Sequence, residues 1–261
     1  MTSFTRQRMV PRPERGLADP TAYCLPRGYQ QQNIARTRDD VNRTAVYWTA
    51  ERIAESRRYQ SHVYRWAGDL LQRCGLTSML DVGSGPGVKL AEYITPVCSD
   101  ITAVDQPSAL AVATSLRIAA MMRPIDLEAP PTPDRCYDLV LCSDVIEHVL
   151  DPAPLLGYLR AAAGAGGLVL VSTPERARLR GRDCLVCKKP DHVREWARLE
   201  FLTFLSKSGF DVIRTRLLPQ DDARVGVHRE AERSFRQAKF DRSPLCCHAV
   251  LCRVNRVGNR S

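Results

Sequence analysis

The sequence predicts an α/β fold built on a doubly wound, mainly parallel sheet. Three observations carry that expectation. Strand-length apolar runs alternate with helical patterns from Ser78 onward, and a glycine-rich turn joins the first run to its helix. The fifth run, 167–172, is apolar almost throughout, as a strand covered on both faces should be.

In chain order, residues 1–38 read as a mobile N-terminal tail, because Pro, Gly and Arg are frequent there and no periodicity emerges. Residues 39–75 form an N-terminal helical segment. Apolar side chains from Val41 to Leu71 recur at near-helical spacing, and Gly75 closes the pattern. Residues 76–255 make the main domain. Met79-Leu80-Asp81-Val82 is its first strand, and a helix over 88–94 follows the glycine turn. A second strand spans 101–105, with an Ala/Leu-rich helix over 108–116. The third strand is expected at 118–122 and the fourth at 137–142, before a helix that starts at Pro152. After the fifth strand come a polar loop over 177–190, a helix over 199–208 ended by Gly209, and two closing strands at 210–218 and 246–254.

Composition narrows the class. A chain of 261 residues with 44% hydrophobic and 26% charged residues suits a soluble globular domain. No run reaches the roughly 20 apolar residues of a membrane-spanning helix, and the first residues lack the apolar stretch of an export signal, so a cytoplasmic setting is expected. The net charge of +9 comes mainly from arginines scattered along the whole chain. That scatter favours a generally basic surface over a dedicated nucleic-acid interface. Ten cysteines without an export signal read as reduced thiols. Cys184 and Cys187 have zinc-knuckle spacing, with Cys246, Cys247, His248 and Cys252 as distant candidates, but the latter alternate along a strand and favour free thiols.

The strongest motif is Leu80-Asp81-Val82-Gly83-Ser84-Gly85-Pro86-Gly87, set between a strand and a helix. Glycines there let the backbone turn sharply and approach a ligand, while helix amides face its polar part. Asp105, closing the next strand 18 positions after Gly87, stands where an acidic side chain receives ribose hydroxyls. Together they predict an adenosine-containing ligand.

These residues, with the strand 137–142, resemble class I S-adenosylmethionine (SAM)-dependent methyltransferases of the type 11/23-like, small-molecule kind. The resemblance implies a Rossmann-like seven-stranded sheet in the order 3-2-1-4-5-7-6, with strand 7 antiparallel. It implies that Asp81, Gly83, Ser84, Gly85 and Gly87 hold the methionine end of SAM and Asp105 the ribose. Gln106 would lie beside the adenosine, Asp126 and Leu127 at the adenine edge and face, and Ser143 on the methionine side.

On the acceptor side, Asp144, Glu147 and His148 are spaced i, i+3, i+4, so a helical turn starting there would put all three on one face. His148 or His192 would take a proton from a hydroxyl or amine nucleophile, or else His148 braces the fold. The segments Tyr23-Cys24-Leu25-Pro26-Arg27-Gly28-Tyr29, Ser172-Thr173-Pro174-Glu175-Arg176 and His192-Val193-Arg194-Glu195-Trp196 resemble bacterial methyltransferases of glycan and specialised-metabolite biosynthesis. That likeness favours O-methylation of a small-molecule or glycan acceptor. The Asp144/Glu147/His148/His192 set is also similar to the divalent-metal cluster of small-RNA 2′-O-methyltransferases, and ubiquinone-pathway O-methyltransferases carry a similar Glu-His turn. A non-catalytic SAM-binding module is the third alternative.

Overall fold

The computed structural model describes residues 17–32, 47–221 and 245–255. Its seven strands are β1 Ser78–Val82, β2 Asp100–Asp105, β3 Met121–Pro124, β4 Leu139–Ser143, β5 Leu168–Pro174, β6 Phe210–Pro219 and β7 Leu245–Val254. They form one sheet in the order β3-β2-β1-β4-β5-β7-β6. The first five pair in parallel, while β7 lies antiparallel between β5 and β6. The order and the antiparallel β7 are those the resemblance implies.

The helices are α1 Ala50–Arg58, α2 Ser61–Cys74, α3 Pro107–Ser115, α4 Pro152–Ala163, the single-turn α5 Arg176–Arg180, and α6 Arg198–Lys207. Alternation along the strands splits the core in two. Leu80, Val82, Val140, Val169 and Val250 point to the side of α4 and α6. Met79, Leu139, Leu141, Leu170 and Leu251 point to the side of α2. Gly75 ends α2 with a φ of 64°, a left-handed conformation that glycine adopts without strain.

Three expectations are corrected. The third strand lies at Met121–Pro124 rather than 118–122, because Ile118 is drawn under Gly87 and packs in the α2-side core. The helix over 88–94 is present, and its later part, Leu90–Ile94, winds as a wider π-helix. The tail expected over 1–38 does not hold for residues 17–32. Tyr23, Leu25 and Tyr29 are buried in the core beside α6, so this stretch is a strap packed on the domain. Finally, no helix begins at Asp144; its φ is 54°, and only a single turn closes from Val145 to His148. The segment 39–46 and the insertion between β6 and β7 lie largely outside the described residues.

Candidate active site

The carboxyl ends of β1, β2 and β4 gather the cofactor candidates, as open parallel sheets do at a switch in strand order. Asp81 lies on β1, completely buried. Its Oδ2 accepts from the Tyr64 hydroxyl at 2.9 Å, while Oδ1 has no partner. Burial raises this carboxyl to about 7, against the Tyr64 hydrogen bond and the Lys89 charge, which lower it. Gly83 and Ser84 follow, and the Gly83 amide donates to the Val104 carbonyl at 2.8 Å, tying the loop to β2. Gly83, Gly85 and Gly87 all have positive φ. Trp48 lies 3.3 Å from where a Gly85 β-carbon would stand, so the start of the helical segment covers this loop.

Asp105 ends β2. Its Oδ2 accepts from the Gly85 amide at 2.7 Å and its Oδ1 from the Gln106 amide at 2.6 Å. Burial raises its pKa, and these two amides oppose the rise. Gln106 caps α3 without a side-chain bond to it. Asp126 is exposed two residues after β3 and folds an Asx turn on the Glu128 amide at 2.9 Å. The neighbouring Ile125 amide donates to the Asp105 carbonyl, which keeps Asp126 and Leu127 beside β2. Ser143 is buried at the end of β4, 3.0 Å from the Ser172 hydroxyl.

The acceptor candidates separate into two groups. Glu147, His148 and His192 each offer a ligand atom within 4.8 Å of the others. Glu147 is fully buried; Oε2 accepts from the Thr173 hydroxyl at 3.1 Å and Oε1 has no partner. Burial and the nearby Asp144 hold its pKa well above the usual carboxylate range. The His148 and His192 rings meet edge to face, 4.7 Å apart. The Nδ1 atom of His148 faces the Asp191 carbonyl at 2.5 Å, and that of His192 faces Glu195 Oε1 at 3.0 Å. A carbonyl and a carboxylate only accept, so each Nδ1 is the donor and each Nε2 carries the lone pair in the neutral ring.

Glu195 is set as an anion. Burial would raise its pKa, but hydrogen bonds from His192 and Arg180 pull it down to about 2. Asp144 is not one of the three converging ligand residues, although its charge acts on both Glu147 and His192. Its left-handed backbone turns the carboxylate toward the Gln60 amide, which donates to Oδ2.

Several functional neighbours escape a reading of the sequence. Tyr64, Gln60 and Lys89 reach the site from the helical segment and the glycine turn, where Tyr64 reads only as one apolar position among many. Arg194 and Tyr29 brace the loop that carries His192. The Arg194 guanidinium donates to the Val149 and Leu150 carbonyls, and the Tyr29 hydroxyl receives the Glu195 amide at 2.9 Å. The thiols of Cys184 and Cys187 donate to loop carbonyls, whereas Cys247 and Cys252 sit on opposite faces of β7.

Among the described residues, no helix is long and apolar enough to cross a membrane.

Comparison with known proteins agrees with the fold. The family described as a methyltransferase domain matches residues 34–215. A probable S-adenosylmethionine-dependent methyltransferase from Mycolicibacterium smegmatis is 30% identical over 193 residues, covering 70% of this chain and 74% of its own. A ubiquinone biosynthesis O-methyltransferase from Aeromonas salmonicida is 33% identical over 108 residues, 38% of this chain and 43% of its own. The solved S-adenosylmethionine-dependent methyltransferase from Mesorhizobium loti superposes with a TM-score of 0.53 at 20% identity, covering 73% of this chain and 97% of that one. With two-thirds of its length matched by that domain family and a relative of the same kind along most of the chain, the protein belongs to the SAM-dependent methyltransferases.

Proposed function

We propose that the enzyme transfers the methyl group of SAM to a hydroxyl oxygen of a small-molecule or glycan acceptor, with the cofactor along the carboxyl ends of β1, β2 and β4. The residues fit that cofactor. The unpartnered Oδ1 of Asp81 is a buried acceptor suited to the methionine ammonium. The positive-φ glycines let the loop turn sharply between β1 and the following helix, and Asp105 is placed for the ribose hydroxyls. Asp126 and Leu127 border the adenine end, Gln106 the adenosine and Ser143 the methionine side.

When bound, SAM supplies an electrophilic methyl on a sulfonium sulfur, which keeps the C–S electron pair as the acceptor oxygen takes the carbon. The protein's share is alignment, exclusion of water and removal of the hydroxyl proton. The observation that carries the oxygen reading is the convergence of Glu147, His148 and His192. In this reading His192 accepts the proton at Nε2, while ionised Glu195 holds Nδ1 and stabilises the imidazolium. The partial likeness to an O-methyltransferase points the same way. The test is transfer of radiolabelled methyl from SAM to a panel of hydroxylated metabolites and oligosaccharides. Labelled ethers are expected; label found only on nitrogen or carbon overturns the oxygen assignment.

The same trio favours a second reading, metal-assisted 2′-O-methylation of RNA. Both imidazoles present Nε2 after donating from Nδ1, as ligating histidines do, and Glu147 Oε1 is a buried oxygen without a partner. Glu147, His148 and His192 would hold a divalent ion, which would lower the pKa of the acceptor hydroxyl. Activity lost to a chelator, restored by magnesium or manganese, and directed to RNA ends would make this reading the stronger one. Chelator-insensitive labelling of sugars removes it.

A further inference from the structure

We propose that Lys89 binds the α-carboxylate of the SAM methionine, opposite Asp81, so that the pair reads both charges of the amino-acid zwitterion. This rests on the cofactor site proposed above.

Lys89 is the second residue after Gly87, half-buried between the buried apolar residues Val88 and Leu90. Its ammonium donates to the Ser56 carbonyl at 3.2 Å, in the last turn of α1, and stands 4.9 Å from the centre of the Tyr64 ring. The Tyr64 hydroxyl in turn donates to Asp81. Tyr64 is therefore a shared wall, with the ammonium over its face and the carboxylate at its tip. An ammonium has three donors, and Ser56 accounts for one.

The charges around it are one-sided. Asp81, Asp105 and Asp144 all act on Lys89, yet among the described residues none closes a direct ion pair with it. Holding an unpaired ammonium out of water is costly, and a cap on the α1 carbonyl alone would be served as well by a neutral donor. A ligand carrying one carboxylate beside an ammonium and a sulfonium matches this arrangement: its anion meets Lys89, and its cation meets Asp81 Oδ1. Because Lys89 also holds Ser56, the contact would couple cofactor binding to the seating of α1 over the glycine loop.

The experiment is calorimetric binding of SAM and of decarboxylated SAM, which keeps the adenosine, the sulfonium and the amine. The wild-type enzyme should prefer SAM by about 10- to 100-fold, the range expected of one charge-assisted contact. In Lys89→Met and Lys89→Gln, SAM affinity should fall by that factor while the decarboxylated compound changes by less than about twofold. Equal affinity of the wild type for both compounds overturns the proposal without any variant. So does an equal loss of both in the two variants, which would make Lys89 only the cap of α1. A Gly85→Val enzyme that keeps full SAM affinity would instead show that the cofactor lies elsewhere, a failure of the site rather than of Lys89.

Discussion

A β-carbon on Gly83 would stand 2.2 Å from Cγ2 of Val145. The cofactor loop and the turn that carries Glu147 and His148 are therefore in backbone-to-side-chain contact, with no room for even a methyl group. Gly83→Ala should cost about 1–3 kcal/mol through overpacking, and about 1–2 kcal/mol more because its φ is 77°. A matching drop in melting temperature, together with weaker SAM binding, is the expected result. An alanine enzyme that melts and binds like the wild type would contradict the packing described.

Removing the proposed base separates chemistry from cofactor binding. His192→Ala should lower turnover by about 10²–10⁴-fold, the usual contribution of a positioned base, with SAM affinity unchanged. Glu195→Gln keeps the shape but loses the anion that orients the ring, so it should give a smaller loss in kcat. Turnover of His192→Ala equal to the wild type at every pH removes that residue from the reaction.

His248 sets an acid limit on stability. It is buried on β7 against Phe201, and neither ring nitrogen has a partner. Burial, helped by the Arg198 charge, lowers its pKa from 6.5 to about 4. The unfolded chain thus binds the proton more readily, and stability is complete above about 6.5 and is lost as pH falls toward 4. The full span corresponds to roughly 3 kcal/mol. His248→Leu should be more stable than the wild type at pH 5 and nearly equal at pH 8 in urea denaturation. Parallel acid limbs for the two proteins would sink this account.

Tyr29 is expected to act on the site through the backbone. Tyr29→Phe leaves the buried Glu195 amide without its acceptor, at a cost of about 1–3 kcal/mol. The loop bearing His192 should loosen with it, seen as faster amide exchange over 192–196.

The alternation of strands and helices was legible because strands buried on both faces leave long apolar runs, and the glycine turn stands directly after one of them; the order of the strands came only with the family resemblance those residues carry. What failed was local. β3 is an edge strand of four residues whose side chains are half-buried or exposed, so its apolar signal is weak and Ile118 drew the expectation upstream. The strap over 17–32 places three large side chains in the core from a stretch whose Pro and Gly suppress any period. At Asp144, i, i+3, i+4 spacing suggested a helix, but spacing carries no information on φ. The left-handed turn there delivers Asp144 to Gln60 and leaves the other three residues together. The cofactor residues were readable one by one, whereas Lys89 and Tyr64 gain meaning only from each other.

β7, the last strand among the described residues, occupies an inner place in the sheet. β5 and β6 do not touch until β7 arrives between them, bonded to both. During synthesis, two unpaired edges persist until β7 has left the ribosome, an invitation to strand addition by other chains. A chain terminated before Leu245 would carry the whole glycine loop and every residue of the Glu147 trio, yet have an unsealed sheet. Quality control of such fragments would depend on the ten residues of β7.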